Sequence, residues 1–322
     1  MNKWFIAGGA GFIGSHFTDR LLSDPSTERV TLYDNFSSGR AWHYEHHARN
    51  RRLQVVRADL NETAKLQAAM EGHDVVIHLA SNPDIARAVT DPAIDFREGT
   101  VLTHQVVEAM RVTGVPRILY ASGSGVYGDL GLVEAKEDYG PLHPVSTYGA
   151  SKLAGEALIG SYCFMFGLSG CAFRFGNVVG PRQTHGVGFD FVRQLLVNPR
   201  ELRILGDGTQ SKSYIHVSDV VNAVLCAHQN MRQSFAAYNV ATGDYITVTE
   251  IARSATEVLE LGPGSTRFLY GGGDRGWKGD VPIVRLNTDR IKTLGWRCSR
   301  GTADALRDSM RALLGDAQLA RL

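Results

Sequence analysis

Along its first half the chain alternates short apolar or β-branched runs with longer stretches of helical periodicity. Runs at residues 4–7, 30–33, 53–57, 75–79 and 118–121 predict buried strands. Amphipathic stretches lie between most of them, and strand–helix alternation of this kind implies a parallel sheet with helices on both faces. A helical pattern from about residue 146 to 166 leads into a further strand at 172–175. Beyond Pro181 the order loosens, with short strands expected at 202–205, 213–215 and 238–240 among helices and glycine-rich loops. The expected fold class is α/β. A doubly wound parallel sheet should occupy residues 1–180, and a smaller α/β lobe 181–322, with some segments of the second part returning to the first domain.

Composition narrows the function only by exclusion. A chain of 322 residues is long enough for one large domain or two unequal ones, each with a core. Its 43% hydrophobic and 21% charged residues are ordinary for a soluble globular protein. A net charge of +1 gives no broad attraction to nucleic acid or to an anionic membrane. No apolar stretch approaches the ~18 residues of a membrane span. The N-terminus runs straight into a strand and a glycine loop, unlike a signal peptide. Cys163, Cys171, Cys226 and Cys298 show neither CxxC nor metal-ligand spacing. They read as reduced thiols of a cytoplasmic protein, and no metal is expected.

The segment WFIAGGAGFIGSH sets Gly8, Gly11 and Gly14 directly after the first strand and at the start of a helix. Glycine permits the tight turn and lets the backbone and helix N-terminus approach a pyrophosphate, so this context reads as a Rossmann-type dinucleotide site. The second strand ends VTLYDN, with Asp34 twenty positions after Gly14. A carboxylate there accepts hydrogen bonds from the adenosine ribose and repels a 2′-phosphate, which favours NAD over NADP.

Residues 147–152 read TYGASK, and the YxxxK spacing puts Tyr148 and Lys152 on one helical face. With an ordinary pKa near ~10, tyrosine is a poor base at neutral pH. An ammonium one turn away, joined by a positive nicotinamide, stabilises the phenolate and lets it take a proton from a sugar hydroxyl. The strand before this helix ends ILYASGSGVYG, where Ser122 and Ser124 flank Gly123.

With these motifs the chain resembles the extended short-chain dehydrogenases/reductases, specifically the NAD-dependent nucleotide-sugar epimerase/dehydratase family and its UDP-glucose (UDP-galactose) 4-epimerase branch. The stretches that carry the likeness include GGAGFIGSH, YDNFSSGR, RADL, HLASNP, SGVYGD, HPVSTYGASKLAGEAL, RFGNVVGPR, HGVGFDF, LGDGTQSKSYIHVSD and RGWKGDV, spread over nearly the whole chain. The resemblance implies cofactor contacts from Phe12, Ile13, Asn35, Ser38 and Gly39 beside the glycines and Asp34. It implies further contacts from Asp59 and Leu60 at the adenine, and from Leu79, Ala80 and Ser81 at the ribose and diphosphate. On the substrate side it implies Asn177, Val187, Lys212, Arg275 and Asp280, with Lys212 standing where many relatives place a phosphate-binding arginine. A homodimer joined through two long helices near 95–112 and 146–166 is implied as well.

Two positions depart from the family pattern. Gly99 stands where most relatives carry asparagine. Gly123 stands where the family has its catalytic Ser/Thr, 25 residues before the tyrosine. Three explanations of Gly123 are open: Ser124 or Ser122 supplies the hydroxyl, a bulkier substrate uses the room, or the protein binds its ligands with little chemistry. Related 4,6-dehydratases place an Asp–Glu pair at the positions of Ser124 and Gly125, and uronate decarboxylases a glutamate at the second. With neither present, the expected reaction is 4-epimerisation of a UDP-hexose or derivative through a 4-keto intermediate. A dehydratase, a decarboxylase and a catalytically weak binding protein are the alternatives.

Overall fold

The structure, a computed structural model, describes residues 2–318. The expected parallel sheet is present, with seven strands. In chain order the first elements are β1 (Asn2–Ala7), α1 (Phe12–Leu22), β2 (Thr27–Asp34), β3 (Leu53–Arg57), α2 (Thr63–Met70), β4 (Val75–His78), α3 (Leu102–Thr113), β5 (Arg117–Gly123), α4 (Thr147–Phe166) and β6 (Ser169–Phe175). The spatial order is Phe235–Val240, β6, β5, β4, β1, β2, β3. From β1 the chain winds outward through β2 to β3, then returns to pair β4 on the other side of β1, all three ladders parallel. That reversal makes a crevice beyond the carboxyl ends of β1 and β4, where α/β sheets take their ligands.

The strands are apolar on both faces because helices cover both. Phe5, Ile6, Val76, Ile77, Ile118 and Tyr120 are at most 1% exposed. Ser146 caps α4, its hydroxyl accepting from the Gly149 amide at 3.0 Å. The helix expected near 95–112 opens instead with a π-helical stretch, Phe96–Val101, before α3 begins. The wider turn brings the backbone at Gly99 against α4, where a Cβ would lie 2.6 Å from Ser151 Oγ. An asparagine at position 99 has no room in this packing.

The chain divides into two compact units. The first contains the residues up to Val126, Ser146–Arg174 and Val224–Tyr238; the second contains Tyr127–Val145, Phe175–Ala223 and the residues from Asn239 onward. In the second, β7 (Asn177–Val179) pairs in parallel with Tyr214–His216, and Ser211–Lys212 pairs antiparallel with Ile246–Thr247. Arg267–Tyr270 runs parallel to Glu201–Ile204. α5 (Val187–Val197) and the helices Val248–Val258 and Thr302–Gln318 share a core with Phe189, Val192, Ile251, Leu306 and Met310. Among the described residues no helix is long and apolar enough to cross a membrane.

Candidate active site

Beyond β1 the chain turns through Gly8, whose φ of 79° suits glycine, and its amide donates to the Tyr33 carbonyl at 2.9 Å. A Cβ on Gly8 would meet Ala80 N at 2.8 Å, and one on Gly14 would meet Gly9 O at 2.6 Å. These two glycines therefore let the loop, α1 and the segment after β4 lie in direct backbone contact. Leu79 and Ala80 are held there, both amides donating to the Ala7 carbonyl. Gly11 is the N-cap of α1 and has no side chain with which to cap its first-turn amides. Phe12 is buried, and Ile13 is half-buried beside it.

At the end of β2, Asp34 accepts from the amides of Ala10 (2.9 Å) and Phe36 (2.8 Å). Burial pushes its carboxyl up, opposed by those two amide bonds. Gly39 packs against it so closely that a Cβ would sit 2.8 Å from Asp34 Oδ1. Asn35 donates to Asp59 Oδ2 at 2.9 Å, and Ser38 lies half-exposed on the same loop. Leu60 is buried with Tyr33, Ala58 and Leu66, so its side chain serves the core.

Lys152 is 3% exposed, and its ammonium donates to the Ala121 carbonyl at the end of β5 at 2.8 Å. It lies 5.4 Å from the Tyr148 ring centroid and 5.2 Å from that of Tyr120. Burial pushes the Tyr148 phenol up to about 12, with Asp95 adding to the rise and the Ser81 hydroxyl opposing it. Burial also lowers Lys152 to about 8, against the Asp95 charge. Below it, His78 is held neutral by burial and by the Lys152 charge. Tyr148 and Lys152, two of the predicted catalytic residues, thus lie side by side, and Ser81, expected at the cofactor, is near the phenol.

The motifs did not reveal Asp95. It is 1% exposed, and its carboxylate accepts from Thr147 Oγ1 at 2.6 Å and from Asn82 Nδ2 at 2.9 Å. Asn82 also donates to the Asp84 carbonyl and accepts from the Asp84 amide. Asp95 therefore ties the residue before Tyr148 to the loop that carries Ser81. The only local signal in the sequence was an acid set between two large apolar residues, Ile94 and Phe96, with Ile94 fully buried.

The two serines flanking Gly123 separate in the structure. Ser122 is a correction to the sequence reading: its buried hydroxyl donates to Glu156 Oε1 at 2.6 Å, and Glu156 is ion-paired with Arg174 at 2.7 Å. Leaving that buried pair would strip a hydrogen bond from a desolvated carboxylate. Ser124 is half-buried, and its hydroxyl makes no hydrogen bond among the described residues. A Cβ on Gly123 would meet no atom within 4 Å.

In the second unit, three of the predicted substrate residues form one cluster. Lys212 Nζ donates to Asp280 Oδ1 at 2.5 Å. Arg275 donates to the Asp280 carbonyl and to Asp129 Oδ2, each at 2.6 Å. Asp129, from the SGVYGD stretch, was not anticipated. The Asn177 amide and side chain both donate to the Ser213 carbonyl, and Val187 opens α5 apart from these bonds.

Comparison with known proteins agrees with this construction. Residues 4–241 match the NAD dependent epimerase/dehydratase family. The chain is similar to the UDP-glucose 4-epimerase of Mycolicibacterium smegmatis, 34% identical over 317 residues, which cover 94% of this chain and 96% of that one. A crystal structure of a UDP-galactose 4-epimerase is 36% identical, with a TM-score of 0.86 over 98% of this chain and 99% of that one. The UDP-glucose 4-epimerase of Thermotoga maritima, solved with UDP-glucose, is 27% identical with a TM-score of 0.87 over 98% and 99%. With the glycine loop, the switch-point crevice and the Tyr148–Lys152 pair lying inside the matched span, the chain belongs to the NAD dependent epimerase/dehydratase family.

Proposed function

We propose that this protein is an NAD-dependent nucleotide-sugar 4-epimerase that acts on a UDP-hexose or a derivative of one through a 4-keto intermediate. The observation that carries the reading is a paired Tyr148 and Lys152 beside a 122–125 loop, SGSG, that contains no carboxylate.

The residues present fit NAD. The uncapped amides at the start of α1 suit a pyrophosphate, and Asp34, with its carboxylate fixed by Ala10 and Phe36, suits an unphosphorylated ribose. When bound, NAD supplies a hydride acceptor for sugar C4 and the donor that restores it. Tyr148 takes the proton from the C4 hydroxyl and returns it. Lys152 keeps its charge beside the phenol, which lowers the cost of forming the phenolate. Ser124 donates to the C4 oxygen in place of the hydroxyl missing at Gly123. Lys212 and Arg275 hold the diphosphate of the sugar nucleotide, Asp280 its ribose, and Asn177 and Val187 border it.

Elimination or decarboxylation would call for a carboxylate able to exchange protons with the sugar. Asp95 is the carboxylate whose charge reaches Tyr148, yet both its oxygens are engaged by protein donors and it is buried. It is placed to orient and not to transfer protons, which supports epimerisation.

The same reading includes a homodimer through α3 and α4, supported by exposed Phe96, Val112, Phe164 and Met165 on or beside those helices. It also includes a cytoplasmic setting, supported by four cysteines that form no disulfide, two of them buried. Incubation of the purified protein with UDP-galactose tests the function. The expected product is UDP-glucose at the equilibrium ratio of the two sugars. A 4-keto-6-deoxy product, or none, would reject it.

A further inference from the structure

The stretch AWHYEHHARN, residues 41–50, is unusually rich in histidine and has no part in the chemistry above. It forms two short 3-10 turns, Ala41–His43 and Glu45–His47, alongside α1. His46 Nε2 and His47 Nε2 each lie 2.8 Å from Asp19 Oδ1 of α1, and the two imidazole rings are 4.2 Å apart between centroids. The three donor atoms all lie within 4.8 Å of one another. The side chains are 49%, 22% and 35% exposed for His46, His47 and Asp19, so a solvent route to the cluster exists.

Hydrogen bonding alone would require both imidazoles to present Nε2–H to the same carboxylate oxygen. With both Nε2 atoms deprotonated, the same cluster offers two nitrogen lone pairs and one carboxylate oxygen within 4.8 Å of one another. Two imidazoles and a carboxylate suit a borderline-soft first-row ion such as Zn²⁺ and suit Mg²⁺ or Ca²⁺ poorly. We propose that Asp19, His46 and His47 form a transition-metal site of the zinc class, with water completing the coordination. The place of the site gives it a consequence. The 40–47 segment is anchored to the glycine loop, since the Arg40 amide donates to the Ala10 carbonyl at 3.0 Å and His43 Nδ1 lies 2.8 Å from that carbonyl. A bound ion would fasten this segment to α1 and brace the loop that follows Asp34. Its role is structural, and it takes no part in proton or hydride transfer.

The test uses untagged full-length protein, stripped with a chelator and titrated with Co²⁺ as the spectroscopic probe. The proposal predicts one ion per chain, with visible d–d bands that Zn²⁺ abolishes, and a Tm that rises with Zn²⁺. The double variant His46→Ala/His47→Ala should lose both responses, while His143→Ala keeps them. Asp19→Asn, which retains a hydrogen-bonding side chain, should weaken Co²⁺ by no less than the about tenfold loss typical of removing even an outer-shell partner. Circular dichroism of each variant establishes that it is folded. If the wild type binds no Co²⁺, or the folded double variant binds it equally well, the site does not exist.

Discussion

Position 123 is where the chain departs most from its relatives, and the structure makes the departure testable. A Cβ on Gly123 would meet no atom of the described residues within 4 Å, and Ser122 is committed to Glu156. Of the two flanking hydroxyls, the proposed function therefore uses Ser124. A missing transition-state donor costs about 3 kcal/mol, or ~10²-fold in rate. Gly123→Ser should therefore fold without strain and leave kcat/KM on UDP-galactose equal or higher, while Ser124→Ala should lower it by ~10- to 10³-fold. Steady-state kinetics check both. A Gly123→Ser enzyme that keeps or gains UDP-galactose turnover but loses that of a UDP-sugar with a larger substituent would show that the space serves a bulkier sugar. For Tyr148→Phe, the loss of the proton-transfer group should lower kcat by ~10²–10⁴-fold with sugar-nucleotide binding retained. Calorimetry beside turnover assays checks it.

At the scale of elements, α4 is placed by more than its own sequence. Ser146 caps it, Gly99 allows the π-turn to pack against Ser151, and Asp95 grips Thr147. The strand pattern, the glycine loop and the YxxxK helix were legible because periodicity and fixed spacing are local properties. Asp95, Asp129 and the fate of Ser122 were not, because each depends on which distant side chain the fold brings within reach. The Asp95 charge disfavours the Tyr148 phenolate and favours the Lys152 ammonium, so it raises both pKa values. In Asp95→Asn both should fall. The limbs of kcat/KM that these two groups set should then move together to lower pH. A pH–rate profile unchanged in position would show that Asp95 acts only as a structural tie.

For the molecule as a whole, the chain crosses between its two compact units several times, with Tyr127–Val145 and Val224–Tyr238 each belonging to the unit away from its sequence neighbours. The first unit carries the cofactor loop and the Tyr148–Lys152 pair, and the second carries the Lys212–Asp280–Arg275 cluster. The proposed reaction assigns one chemical task to each: hydrogen removal and return at C4, and retention of the sugar nucleotide while the ketone turns over. The claim common to both is that the hydrogen lost from C4 comes back to C4. The direct measurement is turnover of UDP-galactose deuterated at C4, in ordinary water, with products analysed by NMR and mass spectrometry. The proposed function predicts UDP-glucose that keeps its deuterium at C4. Deuterium found at C6, or deuterium lost to solvent, would contradict it.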